Sequence, residues 1–440
     1  MEEKLSIIGK VHKEYDIFKL KDILEKNDAG DWGSEPDENA VRVIRSTNFT
    51  NEGRLNLGNV AFRTLKPNKL NDKKLFQGEI LIERSGGSDN QPVGRVGLVS
   101  AEIVIETSVF ANFIQRIAIN EDVNSQYLFY CLQQMYEMGI TASMQYQTTG
   151  IRNLDWKLYT KSILPKPPKT EQIAIATVFS KVDEAIVATE NSIKSAEKLK
   201  KALMQNLLTG KLKTDGTWRK EEEFYIDEKF GKVPLGWAVK KIKDISEFVQ
   251  YGLNTSSNED GNIPMFRMNN IINGKMVSEP MVKISIPDKI FKKYKVLKGD
   301  ILFNRTNSMD LVGKVGIYEL EGDYVFASYL IMIRVNTEND ASYVNYCLNY
   351  YPIQCNIRSK ASLAVSQANI NAKSLRNTLL IVPDLDAQRK SAQKISEIES
   401  IIQNKQTKIH TLQCLRKSLM QNLLTGKIRL SAEIITQLSD

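Results

Sequence analysis

The sequence predicts a mixed α/β protein in which two globular domains alternate with two long antiparallel coiled-coil helices as an internal two-fold repeat. The nonapeptide LMQNLLTGK at residues 203–211 recurs unchanged at residues 419–427, an offset of 216. About forty residues without Pro or Gly run up to the glycine of each copy, which is typical of a long helix. The segments before these helices mix short β-rich runs with Gly and Asn breakers, which is typical of α/β domains.

The repeat extends far beyond the nonapeptide. At the same offset, Val109–Ala111 matches Val325–Ala327. Towards the amino terminus the offset rises to 221, where Gly78–Leu81 matches Gly299–Leu302. Each half of the chain is therefore one copy of the same unit, and the length differences fall where loops tolerate them.

The repeat gives the expected domain boundaries. They are 1–167 for the first globular domain, 168–212 for the first helical region, 213–231 for a charged connector, 232–383 for the second globular domain, 384–429 for the second helical region, and 430–440 for a tail.

Each long helix has predicted start and stop signals. Thr170 and Asp386 are expected at the N-cap positions, and Gly210 and Gly426 end the helices. At 1.5 Å per residue the helices are roughly 55 to 60 Å long.

An apolar stripe on each helix predicts that the two helices pair with each other, in preference to each packing only on its own globular domain. The stripe comprises Val182, Ile186, Ile193, Ala196, Leu199, Leu203 and Leu207 in the first copy and Ile398, Ile402, Ile409, Leu412, Leu415, Leu419 and Leu423 in the second. Equal helix lengths place Thr189 level with Lys405. A fused pseudo-dimer follows, and residues 1 to 216 alone are expected to self-associate.

Composition sets the broad class. Sixty Lys and Arg against 52 Asp and Glu give a net charge of +8, which weakly favours a polyanionic partner. Four scattered cysteines predict reduced core thiols with no disulfide framework and no zinc site. No apolar run approaches the roughly 20 residues of a membrane helix, so a cytoplasmic location is expected.

Catalytic patterns are missing. The sequence contains no GxxxxGK[ST] loop, no GxGxxG turn after a strand, no GxSxG elbow and no Asn/Asp-Pro-Pro-aromatic motif of adenine methyltransferases. Pro36-Asp37 with Asp72-Lys73-Lys74 formally fits a nuclease pattern, but it has no counterpart in the second copy. We therefore expect no catalytic residue, no bound metal and no cofactor in this chain.

Polar residues kept in both copies are candidates for nucleic-acid contact, because Arg, Lys and Asn donate hydrogen bonds to phosphates and base edges. Each is also a common surface or turn residue, so the set favours a nucleic-acid surface more than any one member does. The matched pairs are Arg45 with Arg267, Asn48 with Asn270, Arg84 with Arg305, Arg95 with Lys314, and Asn153 with Asn369.

Polar loop residues that differ between the copies are candidates for choosing a sequence, since two domains that read different half-sites must differ there. Ordinary loop divergence is the alternative explanation. These residues are Ser88, Asp89, Asn90 and Gln91 opposite Asn307, Ser308 and Met309, together with Tyr146, Gln147 and Thr148.

The chain resembles the specificity subunit of type I restriction-modification enzymes. The resemblance is carried by GEILIERSG and VGRVG in the first copy, by GDILFNRTN and VGKVG in the second, and by the doubled LLTGK helix ends. It covers nearly the whole chain.

The resemblance implies a DNA-binding, non-catalytic subunit of a phage-defence system. Each globular domain would be a target recognition domain for one half of a bipartite double-stranded DNA target. The helices would be a spacer and a dock for two adenine methyltransferase subunits, through which restriction subunits join. S-adenosylmethionine, ATP and Mg²⁺ would belong to those partners. Two alternatives stay open: a coiled-coil adaptor between proteins that never contacts DNA, and a cryptic nuclease.

Overall fold

The computed structural model describes residues 4–88, 90–148, 150–255, 261–364 and 367–439. It divides into two compact units: unit 1 is Met1–Glu190 with Thr407–Asp440, and unit 2 is Asn191–Gln406. Unit 1 therefore contains residues from both ends of the chain, whereas unit 2 is one continuous segment. No helix within the described ranges is long and apolar enough to cross a bilayer.

The helices include two that are far longer than the rest. They are α1 (Pro67–Lys73), α2 (Ala101–Val104), α3 (Ser125–Glu137), α4 (Trp156–Tyr159), α5 (Lys169–Leu208), α6 (Asp288–Tyr294), α7 (Ala341–Asn349), α8 (Tyr351–Arg358), α9 (Ala372–Arg376), α10 (Leu385–Leu423) and α11 (Ala432–Ser439). At 40 and 39 residues, α5 and α10 confirm the predicted long helices.

The described strands of unit 1 form five small sheets with the orders β1-β2, β14-β3, β10-β5-β6, β4-β11-β7-β9 and β12-β13-β8. Their bounds are β1 (Leu5–Ser6), β2 (Gly9–Lys10), β3 (Asp16–Lys19), β4 (Leu24–Ala29), β5 (Val41–Ile44), β6 (Ala61–Arg63), β7 (Ile80–Glu83), β8 (Ser85–Gly87), β9 (Val96–Leu98), β10 (Ser108–Phe110), β11 (Ile114–Ile119), β12 (Gln145–Thr148), β13 (Ile151–Leu154) and β14 (Ile163–Lys166).

Among its described residues, unit 2 has five sheets with corresponding connections: β15-β16, β17-β30, β22-β19-β26, β18-β27-β23-β25-β21-β20 and β24-β29-β28. Their bounds are β15 (Phe224–Asp227), β16 (Gly231–Pro234), β17 (Ala238–Lys241), β18 (Ser246–Tyr251), β19 (Ile263–Phe266), β20 (Ile271–Ile272), β21 (Lys275–Met276), β22 (Val282–Ile284), β23 (Ile301–Asn304), β24 (Thr306–Asn307), β25 (Val315–Ile317), β26 (Val325–Phe326), β27 (Leu330–Val335), β28 (Ser362–Ala364), β29 (Gln367–Asn369) and β30 (Leu379–Val382).

The core of each unit joins the sheets to both long helices. In unit 1, Phe179 of α5 and Leu423 of α10 are buried in one cluster with α3. In unit 2, Leu207 of α5 and Ile395 of α10 are buried in one cluster with α7. A buried tyrosine makes the same hydrogen bond in each core. Tyr127 Oη donates to Pro165 O at 3.3 Å, and Tyr343 Oη donates to Ile381 O at 3.0 Å.

The two long helices run antiparallel within each unit, as the sequence predicts. In unit 1, Asp183 of α5 pairs with Arg416 of α10 at 2.7 Å, and Glu171, nearer the start of α5, pairs at 2.7 Å with Arg429, which follows the end of α10. In unit 2, Lys200 pairs with Glu399 at 2.6 Å. This last pair puts residue 405 level with residue 194, so the predicted register, with residue 405 level with residue 189, was wrong by five residues.

Two members of the predicted apolar stripe lie outside the seam. Leu199 and Leu415 are 49% and 45% exposed. The next residue in each helix takes the inward position: Lys200 pairs with Glu399, and Arg416 pairs with Asp183. The prediction that these two leucines are seam residues was therefore wrong, because ion pairs occupy that part of the interface.

The predicted N-cap residues of the long helices were wrong, whereas the predicted glycine at the end of the first long helix fits the structure. Asp386 lies inside α10, because Asp384 is the residue whose carboxylate accepts the Ala387 N–H, at 2.9 Å. Thr170 likewise lies inside α5, which begins at Lys169 after a proline. At the other end, Gly210 has φ +68°, and a Cβ there would lie 2.3 Å from Pro234 Cγ, so this stop requires glycine.

The cysteines divide into two kinds. Cys131 and Cys347 are buried, and loss of solvation raises the pKa of each thiol to about 12. Cys355 and Cys414 are exposed, so the prediction that all four are core thiols was wrong for these two.

Candidate nucleic-acid interface

Each unit contains the same loop, which begins with an arginine and is held by a buried asparagine. Asn48 Oδ1 accepts the Arg45 N–H at 3.0 Å, and its amide nitrogen donates to Asn56 O at 2.8 Å and to Asn59 O at 3.1 Å. In unit 2, Asn270 Oδ1 accepts the Arg267 N–H at 2.9 Å. Asn270 also donates to two carbonyls, those of Val277 and Pro280, at 3.1 and 3.0 Å.

The two asparagines are only 2% and 0% exposed. Each side chain is buried and spends its hydrogen bonds on backbone groups of its own loop, so it is not available to DNA in this structure. The structure thus assigns Asn48 and Asn270 to shaping the loop, contrary to their expected contact role, and leaves Arg45 and Arg267 as the candidates at this position.

The matched arginines after β7 and β23 are held differently. Arg84 makes one long hydrogen bond, from Nη1 to Gln115 Oε1 at 3.3 Å. Arg305 donates to Asn369 Oδ1 at 3.0 Å and to Ser328 O at 3.3 Å, and its guanidinium lies 4.9 Å from the Tyr251 ring centroid. Both side chains are partly exposed, so both remain candidates.

Arg95 and Lys314 occupy matched positions with opposite exposure. Arg95 is 8% exposed and forms a two-point ion pair with Glu83, at 2.8 and 2.7 Å. Lys314 is exposed. The reason lies in the partner position: a buried asparagine, Asn304, stands in unit 2 where Glu83 stands in unit 1. Arg95 is therefore a structural residue here, contrary to its predicted DNA contact, and Lys314 remains a candidate.

The remaining candidates surround a small three-stranded sheet in each unit. Asn153 accepts from Ser85 Oγ at 2.6 Å, and Asn369 accepts from Arg305, so both serve local structure. Ser88, Asn90 and Gln147 are exposed, and Asn307 is partly exposed. Asp89 lies outside the described residues.

In each unit the two arginine-bearing segments meet at one edge, formed by the segments of Arg45 and Arg84 in unit 1 and of Arg267 and Arg305 in unit 2. In unit 1, Ser46 Oγ donates to Ser85 O at 3.4 Å, which joins the Arg45 loop to the strand after Arg84. In unit 2, Asn307 Nδ2 contacts Met268 Sδ at 3.2 Å, which joins the Arg267 loop to the strand after Arg305. In the sequence, the repeat alone groups the two arginine-bearing segments of each unit. The structure places these segments beside one another.

An aromatic residue that is not among the residues predicted from the sequence lies at the same edge in each unit. Phe113 in unit 1 and Tyr329 in unit 2 are 45% and 48% exposed. Phe113 lines a cleft of about 390 Å³ with Trp32, Arg45 and Thr47. The repeat is a signal for this pair, because an aromatic residue stands at both positions, which are matched at the offset of 216.

The formal nuclease pattern is dispersed among structural contacts. Asp37 accepts from Thr64 Oγ1 at 2.6 Å, and this hydrogen bond lowers the pKa of the Asp37 carboxyl. Lys73 is 11% exposed at its side chain and pairs with Asp28 at 2.5 Å. Within the described ranges, no group of three or more His, Cys, Asp or Glu is arranged to hold a metal ion.

A family model gives the class of this protein. The model described as type I restriction modification DNA specificity domain matches residues 12–198 and again residues 234–413. The chain belongs to this family.

Known proteins are similar along most of the chain. The type I restriction enzyme MjaIX specificity subunit of Methanocaldococcus jannaschii is 23% identical over 447 residues, which cover 97% of this chain and 96% of that protein. The MjaVIII specificity subunit of the same organism is 25% identical over 382 residues and covers 82% of each.

A solved structure shows the same fold. The type I restriction-modification system S subunit from M. genitalium superposes with a TM-score of 0.57 at 16% identity, and the match covers 96% of this chain and 99% of that one.

Proposed function

We propose that this chain is the DNA-sequence-reading subunit of a type I restriction-modification complex and does no bond-breaking or methyl transfer itself. The observation that carries the proposal is the double match to the DNA-specificity family on two units that each bring arginines to one edge. Each unit is a target recognition domain for one half of a bipartite double-stranded DNA target. Arginine contacts to phosphates fix the register, and exposed loop residues read base edges.

The long helices are the proposed spacer and the dock for two methyltransferase subunits, with restriction subunits joining through them. These partners, and not this chain, would bind S-adenosylmethionine, ATP and Mg²⁺. The methyltransferase would flip an adenine out of the duplex to methylate it. We place this assembly in the cytoplasm, where it meets DNA.

The proposal predicts weaker DNA binding when the edge arginines are removed. In a complex with the methyltransferase subunit, Arg84→Ala and Arg305→Ala should each weaken target binding by about 1 to 3 kcal/mol if the residue reads a base. If it contacts a phosphate, binding to all sequences weakens about equally and the dependence of affinity on salt becomes shallower. Gel shift at several salt concentrations measures both.

The control for this experiment is Lys298→Ala, an exposed lysine at the opposite end of β23 from Arg305. Its binding should equal that of the parent. If both arginine variants also bind and discriminate like the parent, these residues are not DNA contacts. If the parent complex itself shows no preference for any DNA sequence, the coiled-coil adaptor is the better interpretation.

A second prediction concerns catalysis. The purified chain should neither methylate nor cleave DNA with S-adenosylmethionine, ATP and Mg²⁺ present. The sequence contains no methyltransferase or ATP-binding motif, and the two aspartates of the formal nuclease pattern are already engaged, Asp37 by Thr64 and Asp72 by Lys73. Radiolabelled methyl transfer and plasmid cleavage measure this. Mg²⁺-dependent cleavage that disappears in Asp72→Ala would contradict the prediction and support the nuclease alternative.

A further inference from the structure

The exposed aromatic residue of each unit lies on a tight turn. Ile114 N donates to Ala111 O at 3.0 Å, and Leu330 N donates to Ala327 O at 2.9 Å, so Phe113 and Tyr329 each occupy the third position of a four-residue turn. Gly, Asn and Asp usually occupy turn positions, because they adapt to the backbone and are polar. A single exposed aromatic needs no explanation, but two at matched turn positions call for one.

The turn is fixed to the elements that carry the candidate arginines. The carbonyl of Phe113 accepts the Arg84 N–H at 2.9 Å, and the carbonyl of Tyr329 accepts the Arg305 N–H at 3.0 Å. On its other side, Ala111 N donates at 2.8 Å to the carbonyl of Ile44, the residue before Arg45. Each aromatic backbone is therefore tied to both arginine-bearing segments.

The residues around the Phe113 ring suit a ligand that carries both negative charges and apolar groups. The unit 1 cleft combines the Phe113 ring and Trp32 with Arg45, Ser46 and Thr47, and no carboxylate is among the described residues that line it. Guanidinium and hydroxyl groups bind phosphates, while aromatic rings contact sugars, thymine methyl groups or base faces. Duplex DNA offers both kinds of surface within a few ångströms.

We propose that Phe113 and Tyr329 are the aromatic contacts by which unit 1 and unit 2 each hold their own DNA half-site, with Arg45 and Arg267 on the adjacent phosphates. This inference rests on the proposed function and adds a DNA contact of a different chemistry to it. The turn fixes the backbone that carries each ring, so the contact needs little backbone ordering when DNA binds.

The test uses the complex of the full chain with its methyltransferase subunit. The methylated motif is first mapped in cells that express both subunits, and fluorescein-labelled duplexes then carry the intact motif or the motif with one half scrambled. Phe113→Ala and Tyr329→Ala should each weaken binding to the intact motif by at least about 5-fold. Phe113→Tyr and Tyr329→Phe should restore affinity, because each places the other unit's ring on the same turn.

Matched controls come from β7 and β23, the strands that end just before Arg84 and Arg305. The control residues lie at the opposite ends of these two strands. Phe76, 51% exposed, precedes β7, and Leu297, 45% exposed, precedes β23. Phe76→Ala and Leu297→Ala remove comparable exposed apolar side chains and should bind like the parent. Melting temperatures equal to that of the parent establish that all variants are folded.

The half-site duplexes separate a DNA contact from a structural effect. The defect of Phe113→Ala should vanish on DNA in which one particular half is scrambled, and that of Tyr329→Ala on DNA in which the other half is scrambled. Variants that bind like the controls, or a defect that persists on every duplex, would overturn the inference while leaving the proposed function intact. A parent complex that shows no preference for the mapped motif would instead refute the proposed function.

Discussion

Replacing Arg116 with alanine is expected to destabilise unit 1 by about 3 to 5 kcal/mol, because it breaks a buried ion pair from one side. The Arg116 side chain is 1% exposed and binds both carboxylate oxygens of Asp28, at 2.9 and 3.0 Å. It also donates to the carbonyls of Lys74 and Asp72, at 2.9 and 2.8 Å. In a unit of this size, such a loss lowers the melting temperature by roughly 6 to 20 °C.

Differential scanning calorimetry measures this loss, and Lys4→Ala is the control. Lys4 pairs with Asp16 at 3.0 Å, but the two side chains are 36% and 81% exposed, so its removal should cost no more than about 1 kcal/mol. Equal melting temperatures for Arg116→Ala and the parent would show that unit 1 does not depend on this network.

A fragment of residues 1–216 is expected to sediment as a dimer at tens of micromolar. Met420 and Leu423 of α10 are buried in the core of unit 1, and the identical nonapeptide at 203–211 gives the fragment the same side chains. In a dimer, that segment of one copy can fill the core of the other. Lys200 would take the place of Arg416 opposite Asp183, so the charge at that position keeps its sign.

The dimer prediction has a sharp control within the nonapeptide helix. Leu207→Asp puts a charge into the core position and should give a monomer, whereas Leu199→Asp changes a leucine that is 49% exposed and should leave the dimer intact. Analytical ultracentrifugation distinguishes these states, and a monomeric parent fragment would contradict the pseudo-dimer. With the methyltransferase, the dimer should recognise a palindrome, since its two recognition domains are identical.

The repeat explains what could be predicted from the sequence. Identical nonapeptides and unbroken helical periodicity predicted α5, α10 and their antiparallel pairing, because these depend on local pattern and internal comparison. The register needed long-range information: it depends on which charged residues meet, such as Lys200 with Glu399, and equal helix lengths do not contain that.

The candidate site shows the same limit at the level of single side chains. Matched positions predicted one role for Arg95 and Lys314, but Arg95 is buried beside Glu83 and Lys314 is exposed. Whether an arginine faces solvent depends on the residue that the fold sets opposite it, which is distant in sequence. For the same reason Asn48 was assigned to DNA, although its amide holds its own loop.

Unit 1 combines two segments that are far apart in the sequence, so the ribosome synthesises its two parts at different times. Unit 2 is continuous, so all its residues emerge together, whereas the sheets of unit 1 emerge first and lack the α10 residues Met420 and Leu423 that complete their core. At about 5 to 20 residues per second, translation from residue 190 to residue 424 takes roughly 10 to 50 s. During this interval the nascent first domain exposes an unfilled apolar core position. The second nonapeptide fills it, so unit 1 is expected to complete its core after unit 2.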